Sequence, residues 1–540
     1  MPHDFVELAE HIADALLESD PHLASTAGDH RFDGRLPRLS ADAVAEDVAM
    51  LRDASAALSQ VDIDALDQQL QVDHALLLAR VERALFERTE IREHEWNPLV
   101  HNPGGLLHDL VSRPFAPAEE RISSLAMRLA RVPDALADAR AVLQDMPRVH
   151  VETAVGQFGG TATLVRNELA GLLAEAPALA QDVEPLQTTA ARELDEFAAW
   201  LRERLDDAAG ADRDPRIGRR LWEARLWHAL DSELTAKQIL DRAEANLDRV
   251  SAELREAAAE FLGEPATDKS AKAALDRLGA DHPDDATIVD SARHTLDEAT
   301  AYVREHDLIS LIDDPIVIME MPEFSRGVAV AYCDPPGMLE TAGQPTFYCI
   351  SPTPADWSAE RVESFYREYN HHMLRNLTVH EAMPGHFLQL AHARRFRGQT
   401  RARALGFSGP FVEGWAVYAE EFMVEHGFGG LPIKLQQLKM QLRMSINAIL
   451  DQRVHCDGMT EDEAMALMIG RGFQEDGEAA GKWRRSLLSS TQLSTYFVGY
   501  TEVSEIARLR PAGVSLKDWH DRMLAHGNPP PRHLRALLAV

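Results

Sequence analysis

The apolar positions of the first 310 residues recur with the period of an α-helix. In the first segment they follow the i, i+3, i+4, i+7 spacing of one helical face and are Val6, Ala9, Ile12, Ala13 and Leu16. Longer apolar stripes with charged opposite faces follow at 70–86, 122–143 and 221–262. Proline and glycine fall mostly between these segments, as is typical of helix ends. The pattern predicts packed antiparallel helices up to about residue 310.

The pattern changes between residues 312 and 351. Three β-prone runs, at 316–319, 328–332 and 347–350, are separated by turn-forming segments that contain proline and glycine. Helical periodicity then returns and continues to the C-terminus. The predicted fold is therefore mainly α, with a helical lobe at 1–310 and, at 311–540, a small β-sheet followed by more helices. No linker divides the chain, so one continuous unit is expected.

Two histidines and a glutamate follow the β-prone segment, within the run TVHEAMPGHFLQ: His380, Glu381 and His386. Imidazole is a good zinc ligand, and a carboxylate next to the first ligand can take a proton from water. In the zinc-hydrolase signature H-E-x-x-H the histidines are four residues apart on one helical face. Here they are six apart, which on a regular helix turns the rings about 120° away from each other.

Pro384 and Gly385 offer a way to bring the two rings together. Proline has no N–H for the helical hydrogen bond and crowds the carbonyl one turn earlier, here that of His380. Glycine tolerates the backbone angles that a bulge then requires. The sequence therefore predicts a helix that is broken at Pro384-Gly385, with His380 and His386 as ligands of one metal ion.

Composition narrows the function classes. The chain has 55 Lys+Arg against 87 Asp+Glu and a formal net charge of −32, which argues against a nucleic acid or an anionic membrane as partner. Three cysteines without a C-x-x-C pair indicate a reducing compartment. The first five residues lack the features of a signal peptide, and no run approaches the roughly 20 apolar residues of a membrane span. We expect a cytoplasmic protein; its oligomeric state cannot be predicted.

With these motifs the chain resembles the bacterial family catalogued as domain of unknown function 885. The resemblance rests on H-E-A-x-P-G-H followed by Phe-Leu-Gln, and it extends to 20–28, 413–420 and 492–499. That family is regarded as zincin-like. The resemblance therefore implies a helical metallopeptidase architecture, with the sheet before the metal-binding helix and a central cleft between helical lobes.

The third protein ligand is not decided by the sequence. Catalytic zinc usually has three protein ligands and one open position. Glu413 lies 27 residues after His386, which leaves room for a returning helix, and the resemblance implies a ligand there. Glu420 lies two turns later on the same face and is either the rival ligand or a hydrogen-bond partner of one.

Further roles are assigned to four residues. Glu381 is expected to be the general base, because it is adjacent to a ligand and points to the water side of the metal. The resemblance implies that Tyr496 stabilises the oxyanion and that Arg485 and His455 bind substrate, with the arginine holding a carboxylate through its guanidinium fork. The family usually has Pro-Gly where this chain has Ser490-Thr491, and tyrosine at Ser486. These departures leave the identity of the substrate open.

The chain is thus predicted to be a zinc-dependent hydrolase of peptide or amide bonds, most simply a peptidase that acts on short peptides. Two other interpretations stay open. The first is an amide hydrolase for a specialised small molecule that uses the same metal site. The second is a non-catalytic helical binding protein with a vestigial site, against which the intact set of His380, Glu381 and His386 argues.

Overall fold

Most of the chain is helical in the computed structural model, which describes residues 2–207, 211–321, 330–354 and 357–540. The chain divides into two compact units. Unit 1 consists of Met1–Pro215, Pro336–Gln344 and Gly398–Gly406. Unit 2 consists of Arg216–Pro335, Pro345–Arg397 and Phe407–Val540. Both units are assembled mainly from helices, as the apolar periodicity predicts.

Unit 1 contains eleven α-helices among its described residues: α1 Pro2–Ser19, α2 Pro21–Ala27, α3 Ala41–Ser59, α4 Gln68–Phe86, α5 Glu93–Trp96, α6 Gly104–Ser112, α7 Ala118–Val142, α8 Arg148–Asn167, α9 Leu169–Glu175, α10 Pro177–Asp206 and α18 Ala402–Leu405. Two buried apolar clusters hold it together. One joins α6 to α10, and the other joins α1 to α4 with α18. Short 3₁₀ or π turns lie at His30–Phe32, Ile63–Ala65, Glu87–Ile91 and Pro98–His101.

The N-terminal motif at 20–28 builds α2. The Asp20 side chain accepts a hydrogen bond from the N–H of Leu23 and so caps the helix. Gly28 ends the helix in the left-handed conformation that favours glycine, with φ 81°. The part of the resemblance that lies here therefore specifies a helix and its two ends.

Unit 2 contains fourteen α-helices among its described residues: α11 Gly218–Leu230, α12 Ala236–Leu262, α13 Asp268–Gly279, α14 Ile288–Glu305, α15 Ala359–Glu368, α16 His371–Glu381, α17 His386–Ala393, α19 Gly409–Glu425, α20 Gly430–Asp457, α21 Glu461–Gly472, α22 Asp476–Leu488, α23 Ser494–Arg508, α24 Leu516–Leu524 and α25 Pro531–Leu538. A single large apolar cluster runs through them. Helix α20 is buried along most of its length and forms the centre of the unit.

The small sheet also belongs to unit 2. Its strands are β1 (Ile316–Glu320), β2 (Ala331–Asp334) and β3 (Thr346–Ile350), in the order β1-β3-β2. β1 pairs with β3 in parallel, and β2 pairs with β3 antiparallel. This confirms the predicted sheet before the metal-binding motif. Residues 328 and 329 of the second predicted run lie outside the described residues.

The boundary near residue 310 differs from the division that the structure shows. Helices α11 to α14 belong to unit 2, because the apolar stripe of α12 at Ile239, Ala243 and Leu247 is buried in the core of that unit. The side chain of Asn246 also donates to Ser445 on α20 at 2.9 Å. Periodicity reports that a helix is amphipathic and does not report which helix covers its apolar face. Within the described ranges, no helix is both long enough and apolar enough to cross a membrane.

Candidate metal centre

The helix that carries the histidine motif is broken where the sequence predicts. α16 ends at Glu381 and α17 begins at His386, and the rings of His380 and His386 meet edge to face with centroids 4.7 Å apart. Gly385 has φ −72°, so a left-handed conformation is not the reason for glycine. A Cβ at Gly385 would overlap the carbonyl oxygen of His380. Glycine is therefore required because the backbone approaches so closely at this point.

Trp415 of the second motif supports the break. Its indole N–H donates to the carbonyl oxygen of Pro384 at 2.9 Å, and its side chain is fully buried. The neighbouring Gly414 packs directly on Gly499 of α23, and a Cβ at Gly414 would overlap the Gly499 backbone. The E-G-W-A motif thus joins three elements, and Glu413 lies where α19 meets both α17 and α23.

Three side chains converge at this point. The Nε2 atoms of His380 and His386 each lie 3.5 Å from Oε2 of Glu413. The ligand atoms of the three residues all lie within 4.8 Å of one another. Ligands of tetrahedral zinc at about 2.0–2.1 Å from the metal are separated by about 3.3 Å. The buried Oε2 of Glu413 has no hydrogen-bond partner within the described part of the chain. This donor set therefore fits a divalent ion.

The carboxylates around the two histidines favour a positive charge here, either a proton on His380 or a metal ion. Burial would raise the pKa of the Glu413 carboxyl, but the adjacent imidazoles lower it well below its usual range. Burial would lower the pKa of His380, but Glu413 and Glu420 raise it well above its usual value. The carboxylate is therefore charged, as a ligand must be.

Glu420 lies on the other edge of the His380 ring. Nδ1 of His380 donates to Glu420 Oε1 at 2.7 Å, and the Asn376 amide donates to Glu420 Oε2 at 2.6 Å. A carboxylate behind a histidine fixes the ring and makes its second nitrogen a better ligand. Glu420 thus holds His380 from behind, and Glu413 faces Nε2. Asn376 is missing from the sequence prediction, although it lies one helical turn before His380 on the same face.

Glu381 is buried beside the three converging side chains. The backbone N–H of Cys333 in β2 donates to its carboxylate. Burial raises the pKa of the Glu381 carboxyl, and the charge of Glu413 adds to this, while the two histidines oppose it. Strand β2 thus contacts the residue that is predicted to be the base.

Tyr496, Arg485 and Gln492 form a second polar group, on α22 and α23 and the turn between them. Arg485 Nη2 donates to Gln492 Oε1 at 2.8 Å and to the Tyr496 hydroxyl at 3.1 Å. Gln492 Nε2 donates to the same hydroxyl at 3.3 Å. Burial would lower the pKa of Arg485, but Tyr496 and the charge of Glu413 raise it. Glu413 therefore lies within electrostatic reach of this group, which we call the donor group.

His455 is placed differently from its predicted role in substrate binding. Its Nε2 donates to the carbonyl oxygens of Ser486 and Ser489 at 2.9 Å each, and its ring is buried. It holds the C-terminal end of α22. The family pattern singles out His455 in the sequence, but the contact of its ring with backbone carbonyls is visible only in the structure.

Asp451, one turn before His455 on α20, has no predicted role but organises the same turn. Its carboxylate accepts from the backbone N–H groups of Thr491 and Ser494 at 2.8 and 2.9 Å, and from the Trp222 indole at 3.0 Å. The side chain is 1% exposed. A charged residue within a helical run that is otherwise buried is the signal that points to such a role.

At Thr491, the departure from the family pattern affects the backbone conformation. Its φ is 66°, in the left-handed region that favours glycine, and the family usually has glycine at this position. The preceding Ser490 accepts a hydrogen bond from Arg225 at 2.8 Å. The departure therefore places a β-branched residue in an unfavourable conformation, and Asp451 holds it there.

Two solved structures share the fold. A protein of Shewanella oneidensis described as a "putative lipoprotein of unknown function" has a TM-score of 0.82 and 29% identity, with 99% of this chain and 100% of that chain covered. A "putative lipoprotein" of Colwellia psychrerythraea has a TM-score of 0.81 and 16% identity, with 100% and 98% covered. The M32 carboxypeptidase of Deinococcus radiodurans R1, at 12% identity over 92% and 91%, reaches a TM-score of only 0.24, which supports no argument.

The Shewanella oneidensis structure contradicts the predicted cytoplasmic location. That protein, at 29% identity, is described as a "putative lipoprotein", and a lipoprotein is held at a membrane by attached lipid. The prediction is wrong because its grounds were weak. Few cysteines are typical of reducing compartments, but proteins outside the cytoplasm also have few when a large core stabilises them.

The sequence comparison agrees with the fold. No curated protein matches the chain. A family model described as "Bacterial protein of unknown function (DUF885)" matches residues 21–538. The match spans the histidine motif, the E-G-W-A motif and the donor group. As its motifs predict, the chain belongs to the DUF885 family of bacterial proteins.

Proposed function

We propose that the protein is a zinc-dependent hydrolase of peptide or amide bonds that acts on short peptides. The observation that carries the proposal is the convergence of two Nε2 atoms on one carboxylate oxygen, each at 3.5 Å, with a buried glutamate beside them. His380, His386 and Glu413 are the proposed ligands. Glu420 is then a partner of His380 and not a ligand.

Two imidazole nitrogens and one carboxylate oxygen suit zinc better than magnesium or calcium, which prefer oxygen ligands. Bound zinc would supply a Lewis acid for the substrate carbonyl and would make water more acidic. Three protein ligands leave one tetrahedral position open for substrate or water. The protein's own side chains then have to move protons and stabilise charge.

Glu381 is the proposed general base. Its carboxylate takes a proton from the attacking water and passes it to the nitrogen of the leaving amine. Burial raises the pKa of this carboxyl, which makes it a stronger base than an exposed glutamate. The N–H of Cys333 holds the carboxylate in place while it serves in both steps.

Tyr496 is the proposed donor to the oxyanion. A hydroxyl that is aimed at the oxygen on which charge develops stabilises the transition state more than the ground state. Tyr496 lies three residues before Gly499, whose backbone packs on Gly414, the neighbour of Glu413. The close contact between α19 and α23 thus supports a position for Tyr496 near the proposed ligand.

A peptide substrate is favoured by the sheet. Among the described strands, β2 lies at one edge of the order β1-β3-β2, and the N–H of its Cys333 reaches Glu381. An extended peptide can add to an edge strand through backbone hydrogen bonds, which would bring a peptide bond to the base. A specialised amide is the second candidate, because Ser486, Ser490 and Thr491 replace family residues near the donor group.

Elemental analysis of the purified protein tests the metal. We expect about one zinc per chain in the wild type and in His306→Ala, which changes an exposed histidine, and none in His380→Ala. No metal in any of them after zinc is added would refute the proposal.

A mixed library of dipeptides and tripeptides then tests the substrate. Release of amines favours a peptidase, whereas a zinc protein that cleaves none of them favours the specialised amide.

A further inference from the structure

The Tyr496 hydroxyl accepts two hydrogen bonds within the donor group. Arginine can only donate, so the atom of Gln492 that lies 2.8 Å from Arg485 Nη2 must be the amide oxygen. The amide nitrogen of Gln492 therefore faces Tyr496, at 3.3 Å from the hydroxyl oxygen. Arg485 supplies the other donor, at 3.1 Å. Chemistry alone thus orients all three groups.

This arrangement leaves the hydroxyl hydrogen of Tyr496 unused within the donor group. Both neighbours that touch the oxygen donate to it, so the hydrogen cannot be given to either of them. A phenolic hydrogen lies in the ring plane, and two donors on the oxygen restrict it to the remaining direction. A hydroxyl with that restriction is a preorganised donor, whereas one without it would first have to rotate.

We propose that Arg485 and Gln492 are positioning residues, which turn the Tyr496 hydroxyl hydrogen away from themselves so that it meets the oxyanion of the substrate. The proposal rests on the proposed function, because it assigns how the oxyanion donor is prepared. It also gives Arg485 a role other than the predicted binding of a substrate carboxylate. Its Nη2 is already occupied by Gln492 and by Tyr496.

The surrounding structure holds this geometry. Gln492 lies in the turn that Asp451 fixes through the N–H groups of Thr491 and Ser494. Arg485 lies near the end of α22, where His455 binds two carbonyl oxygens. Helix α20 thus supports the backbone next to both donors through Asp451 and His455, and a fixed hydroxyl orientation requires such support.

Gln492→Glu tests the proposal most sharply. The substitution keeps the shape of the side chain and its acceptor for Arg485, so the fold should be retained. It replaces the N–H donor next to Tyr496 with an acceptor, and the hydroxyl should then donate inward. We expect kcat on the best-cleaved library peptide to fall about 100-fold or more, as for Tyr496→Phe, with little change in KM.

A double-mutant cycle separates positioning from direct action. If Gln492 acts through Tyr496, then Gln492→Glu should change kcat less than about threefold in the Tyr496→Phe background. Equal losses in both backgrounds would overturn the proposal.

Arg485→Lys, with exposed Arg484→Lys as its control, is compared on peptides with free and amidated C-termini. A rise in KM for the free carboxylate alone, with kcat unchanged, would also overturn it and restore the carboxylate role.

A readout that needs no catalysis distinguishes this proposal from the proposed function. Neutron diffraction from crystals of the deuterated wild-type protein locates the hydroxyl deuterium of Tyr496. A deuterium that points away from Arg485 and Gln492 supports the orientation even if no peptide is cleaved. A deuterium on the line to Gln492 refutes it even if the protein proves to be an active zinc hydrolase.

Discussion

The candidate metal centre and the donor group lie in the same unit but are positioned in different ways. His380 and His386 come from adjacent helices within one short motif, and Trp415 of a second motif supports the break between them. Arg485 and Tyr496 come from α22 and α23, and the turn between them is held by two side chains of α20, Asp451 and His455. The first region takes both histidines from one short motif, whereas the second depends on an acceptor and a donor of a distant helix, Asp451 and His455.

The comparison indicates where each region can fail. A metal centre made from two short motifs, at 380–386 and 413–420, should tolerate changes in other helices, because its ligands and their supports contact one another directly. A donor group held by a charged side chain of another helix should lose its geometry when that side chain changes, without loss of the metal. Substitutions in the metal centre and in the supports of the donor group should therefore separate metal binding from catalysis.

Glu381→Gln should have the largest effect. The substitution removes the proton acceptor but keeps a side chain of the same size next to the ligand. We expect kcat to fall about 10²- to 10⁴-fold, with zinc content unchanged. Steady-state kinetics and elemental analysis check this, with exposed Glu425→Gln as the control. A wild-type rate in Glu381→Gln would refute the role of Glu381 as general base.

Glu420→Gln should weaken the metal centre from behind. The charge that holds Nδ1 of His380 is lost, and we expect zinc affinity to fall about 10- to 100-fold. Competition with a chelator of known affinity measures it. The adjacent Glu421, which accepts from Tyr500, offers the matched control Glu421→Gln. Equal losses of zinc in both variants would contradict the role assigned to Glu420.

Asp451→Asn should damage only the donor group. An amide cannot accept all the hydrogen bonds of the carboxylate, so a buried N–H group of Thr491 or Ser494 loses its partner. We expect the free energy of unfolding to fall by about 2–3 kcal/mol and kcat to fall about tenfold. Zinc affinity should stay unchanged. Denaturant unfolding measures the stability, and metal titration measures the zinc affinity. A lower zinc affinity in Asp451→Asn would show that the metal centre and the donor group do not depend on separate supports.

Thr491→Gly should have the smallest effect, and it should stabilise. Removing the Cβ relieves the left-handed conformation, although glycine gains entropy in the unfolded chain, so we expect a net gain of about 0.5–1 kcal/mol. Denaturant unfolding of the zinc-free protein measures it. Thr491→Ala keeps the Cβ and should give no such gain. The same stability in the alanine and glycine variants would show that the backbone at Thr491 is unstrained.

The predictable parts of the protein are those that depend on neighbours along the chain. Apolar periodicity predicts the helices, β-prone runs predict the sheet, and Pro384-Gly385 predicts the helix break. The resemblance carried by the motifs is confirmed as membership of the DUF885 family. The assignment of α11 to α14 to unit 2 was not predictable, since it depends on which apolar faces meet.

The sequence by itself determined the two histidines of the candidate metal centre and the helix break between them, because neighbours along the chain decide where a helix breaks. Only the tertiary structure decided which edge of His380 each glutamate faces. It also revealed the contacts of Asp451 and Asn376 and the two backbone carbonyls that His455 binds. Hydrogen bonds between helices depend on the packing of side chains from distant parts of the chain, and spacing along one segment carries no record of that packing.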